Sequence, residues 1–325
     1  MRSGGGGADN TSRYVASMSS GRFGSPRSRM TSSEPCPACG SRVSRISYDV
    51  PDHEYLVNVI ARYAACGECG TLYQVPMPDT CALSTFYPKT YHSFATGGAL
   101  AKVRHSLRLR RLRNLLKKDT GVVLDYGCGS GSFIRWASDR AQGISFWGYE
   151  LADRPRTETH GRVTIVTGSV EHLMKELPPC DLVTMNHVIE HLPDPRSVLG
   201  ALHQRMNDGA ILEGQTPAAD SFERKVFGTR WSGFHAPRHT VVFSRMGLTQ
   251  LMTAARFKSV QVTGAFNPAA IGVSLAATMH RGALRPITRS GVPWLVYLAS
   301  ATALYPVDVI SGAPGIVNFM AMKNP

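Results

Sequence analysis

Apolar positions follow two regimes along the chain. From Val122 onward, short apolar runs alternate with stretches of helical spacing. Strands are expected at Val122–Tyr126, Ser145–Glu150, Val163–Thr167, Asp181–Asn186, Ala210–Gly214 and Ser259–Gly264, with a last strand at Ile316–Met322 after a long insertion. Such alternation argues for a doubly wound α/β fold on a parallel sheet. Ahead of it, Leu100, Val103, Leu107, Leu112, Leu115 and Leu116 recur at helical spacing across Leu100–Lys118. Two β-like runs, Arg45–Val50 and Tyr55–Tyr63, lie further upstream. Ser290–Val307 carries no charge over 18 residues but is broken by Pro293 and Pro306. A membrane span needs about 20 apolar residues, so a buried or interfacial helix pair is expected there. The pattern divides the chain into a disordered tail (1–33), a small domain (34–80), a linker with a basic helix (81–120) and a large domain (121–325). The large domain carries insertions at 215–244 and 266–314.

The organising stretch is Val122-Val-Leu-Asp-Tyr-Gly-Cys-Gly-Ser-Gly-Ser-Phe133. A strand runs into glycines at alternate positions, Gly127, Gly129 and Gly131, with Cys128 between the first two. A helix follows. Glycine serves where the backbone takes positive φ or meets a ligand closely, and the helix start offers unpaired N–H groups. The dinucleotide fingerprint needs glycine at 132, which is Ser132. Asp125, two residues before the first glycine, would repel a pyrophosphate and suits a cationic, phosphate-free ligand. Glu150, followed by Leu151, ends the next apolar run, where an acid can accept ribose hydroxyls. S-adenosylmethionine, with its sulfonium and amino group, fits both acids.

This loop resembles the first motif of class I S-adenosylmethionine-dependent methyltransferases. The resemblance implies a Rossmann-like sheet of seven strands, mostly parallel, with the seventh antiparallel. It assigns Glu150 to the ribose, Ser169 and Val170 to the adenine side, and Asn186 and His187 to the cofactor end of strand four.

Four of the seven cysteines form two pairs, Cys36-x-x-Cys39 and Cys66-x-x-Cys69, each followed by glycine. Two such knuckles supply four thiolates in the arrangement that structural zinc favours, and the intervening runs can form a hairpin. The odd count and the lack of a secretory pattern fit a reducing, cytoplasmic setting. With the aromatic segment holding Tyr87 and Tyr91, the stretch resembles bacterial methyltransferases that carry an N-terminal zinc ribbon. These are frequent in pathways of surface polysaccharides and modified sugars. Tyr87 and Tyr91 are candidates to cover the cofactor and touch the acceptor.

Net charge is +13, but it is local. Met1–Met30 holds five Arg and one Asp, and Lys102–Lys118 holds eight Lys or Arg and no acid. The remainder is close to neutral, so the overall charge is weak evidence for a nucleic-acid partner, which is not expected. The basic helix instead suits an anionic small molecule or a membrane surface.

Chemistry concentrates after strands four and five. Asn186-His-Val-Ile-Glu-His191-Leu-Pro-Asp-Pro195 lacks the Asn/Asp-Pro-Pro-aromatic motif of base-nitrogen methyltransferases. It resembles the small-molecule branch that includes ubiquinone-pathway O-methyltransferases. Some of those ligate a divalent metal through this segment, where His187 replaces an acid. In the insertion, Trp231 offers a stacking platform, Arg238 an anion clamp and His239 a base. His191 with Glu190 is the other acid–base candidate. The expectation is methyl transfer to a sugar, nucleotide-sugar or other biosynthetic intermediate. An RNA-modifying enzyme and a non-catalytic cofactor-binding protein are the alternatives. Peripheral membrane contact is expected through 290–312.

Overall fold

A computed structural model describes residues 30–31, 34–87, 99–152, 154–279, 287, 289 and 291–324. Strands are β1 (Met30–Thr31), β2 (Val43–Pro51), β3 (Ile60–Cys66), β4 (Leu72–Gln74), β5 (Gly121–Tyr126), β6 (Ile144–Leu151), β7 (Arg156–His160), β8 (Val163–Gly168), β9 (Cys180–Asn186), β10 (Met206–Pro217), β11 (Val241–Val242), β12 (Phe257–Gly264) and β13 (Ile316–Lys323). Helices are α1 (Thr80–Thr85), α2 (Ala99–Leu116), α3 (Ser132–Ser138), α4 (Val170–Glu176), α5 (Pro195–Arg205), α6 (Phe222–Phe227), α7 (Arg245–Ala254), α8 (Pro268–Met279) and α9 (Gly291–Ile310).

The main sheet runs β12-β13-β10-β9-β5-β6-β8-β7. Its centre is parallel, and β13 is antiparallel to both β10 and β12. Neighbouring strand residues serve opposite faces, as a parallel sheet covered on both sides requires. Val123, Phe146 and Leu182 pack with Leu109 and Leu112 of α2 and Ile134 of α3. Leu124, Val166 and Val183 pack with Leu173, Leu199 and Leu248 of α4, α5 and α7. The seven expected strands are all present. The eighth, β7, is an edge hairpin partner of β8. Its Arg-Thr-Glu-Thr-His sequence has no apolar residue to signal it.

The second sheet runs β1-β2-β3-β4-β11. The hairpin β2–β3 spans the gap between the knuckles, but β3 begins at Ile60, later than Tyr55. Asp52 explains the delay: its carboxylate accepts the N–H groups of Glu54, Tyr55 and Val57 and folds the chain into a turn. The last strand of this sheet, β11, comes from the insertion of the large domain and pairs with β4. The 34–80 segment is therefore not an independent unit but shares its sheet with the catalytic half.

The face of α2 is also corrected. Val103 and Leu107 are exposed at 56% and 63%, and Leu109, Leu112 and Leu116 are buried. Half of the eight cations are engaged within the chain. Arg108 pairs with Asp125, Arg111 with Glu213 and Lys118 with Asp181, and Arg113 donates to the Arg140 carbonyl. Arg108 alone of the eight is half-buried, and the other seven stay exposed.

Candidate functional site

The glycine loop sits at the carboxyl end of β5. Gly127, Gly129 and Gly131 have φ of 77°, 55° and 70°, in the region that penalises a Cβ. Space also forbids a side chain: a Cβ at Gly127 would lie 2.4 Å from Val188 Cγ2, and one at Gly131 would lie 2.6 Å from Ile165 Cδ1. Cys128 and Gly127 donate their N–H groups to the Tyr149 carbonyl, tying the loop to β6. Gly129 donates its N–H to Glu150 Oε2 at 2.8 Å. Burial raises the Glu150 carboxyl above its usual range. Leu151, 53% exposed, follows at the rim. Ser169 caps α4 by accepting from the His172 N–H, with Val170 as the first helical residue.

Asp125 is 3% exposed and accepts from Thr184 Oγ1 at 2.9 Å and from Arg108 Nη2 at 2.6 Å. Arg108 was missed in the sequence. Its guanidinium lies 4.0 Å over the Phe133 ring, and its buried Nε has no hydrogen-bond partner. The signal was present: His105, Arg108, Leu109, Leu112 and Leu116 form one helical stripe, so one cation lies among core positions.

The segment after β9 packs on the glycine loop through Val188. His187 has φ 55° and donates its N–H to the Gln215 carbonyl, beside Asn186 at the strand end. A short turn, Ile189–His191, carries Glu190 and His191. Glu190 is fully buried. Its Oε2 accepts from Thr216 Oγ1, and Oε1 has no hydrogen-bond partner. That oxygen lies 3.3 Å from His187 Nδ1 and 3.9 Å from His239 Nε2. Burial alone would raise the Glu190 carboxyl, but the neighbouring His187 and His191 outweigh it and hold the group below its usual range.

Two histidines converge on Glu190. His239 Nδ1 is 2.8 Å from the Gly233 carbonyl. A carbonyl can only accept, so Nδ1 carries the proton and Nε2 the lone pair. His191 Nδ1 lies 3.1 Å from the Arg238 carbonyl and 2.8 Å from Tyr87 Oη, which fixes the same tautomer. The rings are 4.6 Å apart. Burial first, then the charges of neighbouring histidines, pushes His239 well below its usual range. Burial likewise lowers His191 to about 4. Both rings are neutral near pH 7. Glu190, His191 and His239 also bring three donor atoms within 4.8 Å of one another, a set that fits a divalent cation.

Two expectations for this loop are corrected. Arg238 is not an open clamp. It is 0% exposed and pairs with both oxygens of Asp52 at 2.9 Å, with further bonds to the Phe86 and Ala236 carbonyls. Trp231 is not an open platform. It is 2% exposed and donates Nε1 to Glu223. Both stiffen the loop that presents His239. The ribbon does the same: Tyr63 Oη and Gln74 Nε2 donate to the His239 carbonyl, and Gln74 also reaches the Pro237 carbonyl. Tyr87 borders the site through His191, and Tyr91 lies outside the described residues.

The four knuckle cysteines also converge. Cys36 and Cys69 sulfurs lie 3.7 Å apart and those of Cys39 and Cys66 lie 3.5 Å apart, all four within 4.8 Å of one another. A zinc tetrahedron with bonds of about 2.3 Å has edges of about 3.8 Å, so the donor set fits zinc. Ser244 Oγ accepts the Gly247 N–H and donates to the Cys69 carbonyl, joining the knuckle to the start of α7.

Comparison with known proteins gives the family of the chain. The methyltransferase domain family matches residues 100–262. The ubiquinone biosynthesis O-methyltransferase of Photorhabdus laumondii is 32% identical over 117 residues, covering 32% of this chain and 48% of the relative. That of Yersinia enterocolitica is 32% identical over 124 residues, covering 34% and 50%. The chain spans about half the length of the curated relatives it matches. Among solved structures, a SAM dependent methyltransferase from Archaeoglobus fulgidus aligns with TM-score 0.43 and 18% identity, over 67% of this chain and 94% of that one. The plantazolicin methyltransferase BpumL in complex with SAH aligns with TM-score 0.43 and 12% identity, over 76% and 91%.

Proposed function

The chain belongs to the methyltransferase domain family, and we propose that it is a class I S-adenosylmethionine-dependent enzyme that methylates a small-molecule acceptor with His239 as the general base. When bound, S-adenosylmethionine supplies a methyl group already activated by its sulfonium. The chain's own residues do the rest. The glycines let the loop pack closely on Val188 and Ile165, and Asp125 and Glu150 supply acceptors for amino and hydroxyl groups. The unpartnered Arg108 Nε suits a carboxylate. Asn186, His187, Leu151, Ser169 and Val170, at the carboxyl ends of β9, β6 and β8, are assigned to the cofactor on this reading.

The observation that carries the base assignment is the His239 tautomer. Its Nδ1 proton is committed to the Gly233 carbonyl, so the lone pair on Nε2 is available to take an acceptor's hydroxyl proton. Glu190 Oε1, 3.9 Å away, then faces the imidazolium that forms. His191 and Tyr87 form the adjoining wall. An acceptor with an ionisable hydroxyl, a sugar derivative or another biosynthetic intermediate, suits this arrangement. A lost general base costs about 100 to 10,000-fold in rate. His239→Ala should show that loss in single-turnover methyl transfer at saturating cofactor, with cofactor affinity unchanged. Retention of more than about a third of the rate removes His239 from the role.

The unpartnered Glu190 Oε1 favours one second reading, in which Glu190, His191 and His239 hold a divalent cation. His239 Nε2 would then be a ligand rather than a base, and the cation would polarise the acceptor oxygen. Calorimetric titration of zinc-loaded protein with Mn2+ distinguishes the two: saturable binding lost in Glu190→Gln supports the cation, and absence of heat supports the base.

A further inference from the structure

The long insertion forms a helical hairpin whose outer surface has no role in the chemistry above. Helix α9 has 20 residues, so it is about 30 Å long. Its single charged residue, Asp308, is buried. Every exposed position on it is therefore uncharged. Val292, Val296, Val307 and Ile310 are exposed at 72%, 57%, 49% and 84% and share one side, with Leu295, 62% exposed, flanking it. An apolar face of this extent is far from the scattered leucines of an ordinary surface.

Helix α6 lies beside the end of α9. The Phe222 N–H donates to the Ala313 carbonyl, just beyond the end of α9. Phe222 and Val226 are 37% and 58% exposed, and Lys225 is exposed between them. The two acids within α6 and α9, Glu223 and Asp308, are 4% exposed each and face one another beneath the surface. The exposed side chains of α6 and α9 are thus apolar, small and neutral, or cationic.

We propose that this α6–α9 face rests on a lipid bilayer with anionic headgroups. The chemistry distinguishes that occupant from a protein. The exposed side of α9 is aliphatic and small, without the aromatic and arginine anchors that protein interfaces use. Trp294 and Tyr305 lie half-buried on the opposite side, Trp294 against Gly272 of α8 and Tyr305 against Phe266, so these aromatic residues of α9 face the protein. Withdrawal of both acids leaves Lys225 as the exposed charge of α6, complementary to an anionic surface. The contact would bear on the site as well. Helix α8, packed against α9, holds the acceptor loop: Ser232 donates its N–H to Ser274 Oγ and its hydroxyl to the Ala270 carbonyl.

The test is sedimentation of the full chain with vesicles of phosphatidylcholine alone or mixed with phosphatidylglycerol. Wild type should pellet with the mixed vesicles and bind the neutral ones about tenfold more weakly or worse. Val296→Asp/Val307→Asp should abolish binding while zinc content and cofactor affinity stay at wild-type values. Lys225→Glu, which leaves the apolar face intact, should weaken binding to the mixed vesicles alone. Wild type remaining in solution with both vesicles overturns the proposal. So does a double variant that sediments like wild type. A dimer that dissociates in the double variant, without vesicle binding in wild type, reassigns the face to a second copy of the chain.

Discussion

Replacing Glu223 with glutamine should stabilise the protein in neutral solution and leave it unchanged in mild acid. Burial, and then the charge of Asp308, raises the Glu223 carboxyl from 4.5 to about 7. A carboxyl with a higher pKa in the folded chain holds its proton more tightly there. The stabilisation is complete below about pH 4.5 and is lost as pH rises to about 7. The full gap corresponds to about 3 kcal/mol, and relaxation of the pair reduces this to about 2 kcal/mol. Glutamine mimics the protonated acid: its carbonyl can still accept from Trp231 Nε1, and its amide can donate to Asp308, whose Oδ1 has no hydrogen-bond partner. The variant should therefore match wild type at pH 5 and exceed it by about 2 kcal/mol at pH 8. Urea unfolding of both proteins across that range measures the difference, and the zinc contribution cancels at each pH. A difference that stays constant with pH, or a variant less stable at pH 8, refutes the argument.

The cofactor groove predicts that Asp125→Ala and Glu150→Ala each weaken S-adenosylmethionine binding about tenfold or more by calorimetry, about 1.4 kcal/mol, while NAD gives no heat. Elemental analysis should find one zinc at the ribbon, lost in Cys36→Ser/Cys66→Ser. Because Tyr63 and Gln74 hold the His239 backbone, zinc loss should reduce methyl transfer by about a hundredfold and leave cofactor affinity within about twofold. Equal losses in both would show that the ribbon supports the whole sheet.

Local chemistry was legible and distant pairing was not. The glycine loop needs only neighbouring residues: three positive-φ glycines, an acid before them and a helix after. All of it can be read within a dozen positions of Asp125. The knuckles are equally local, since Cys-x-x-Cys-Gly bends its own backbone. Strand cores were readable because parallel strands are apolar on both faces. What escaped has its cause elsewhere in the chain. Arg238 looks like a ligand clamp until Asp52, 186 residues away, takes its guanidinium. Trp231 looks like an open platform until Glu223 and the α8 hairpin cover it. Arg108 was hidden for the opposite reason: a cation in a basic helix invites the solvated reading, and only Asp125 turns it inward.

The same long-range contacts tie the cysteine-knuckle sheet to the loop that carries His239. A base in a loop between a strand and a helix has few local restraints, and small misplacement is costly in rate. Here the loop from Trp231 to His239 is held from three sides. Glu223 holds the Trp231 indole. A Cβ at Gly233 would collide with that indole at 2.1 Å, so the carbonyl that orients His239 Nδ1 is packed directly on the ring. From the ribbon, Asp52 binds Arg238 and Glu54 binds His235, while burial of Glu54 is offset by the charges of His235 and Arg289. Tyr63 and Gln74 then take the backbone carbonyls at Pro237 and His239. Strand β11 continues directly from this loop into the ribbon sheet. On the proposed reading, zinc in the cysteine cluster would fix the hairpin that holds His239, as a positioning element for chemistry it does not touch.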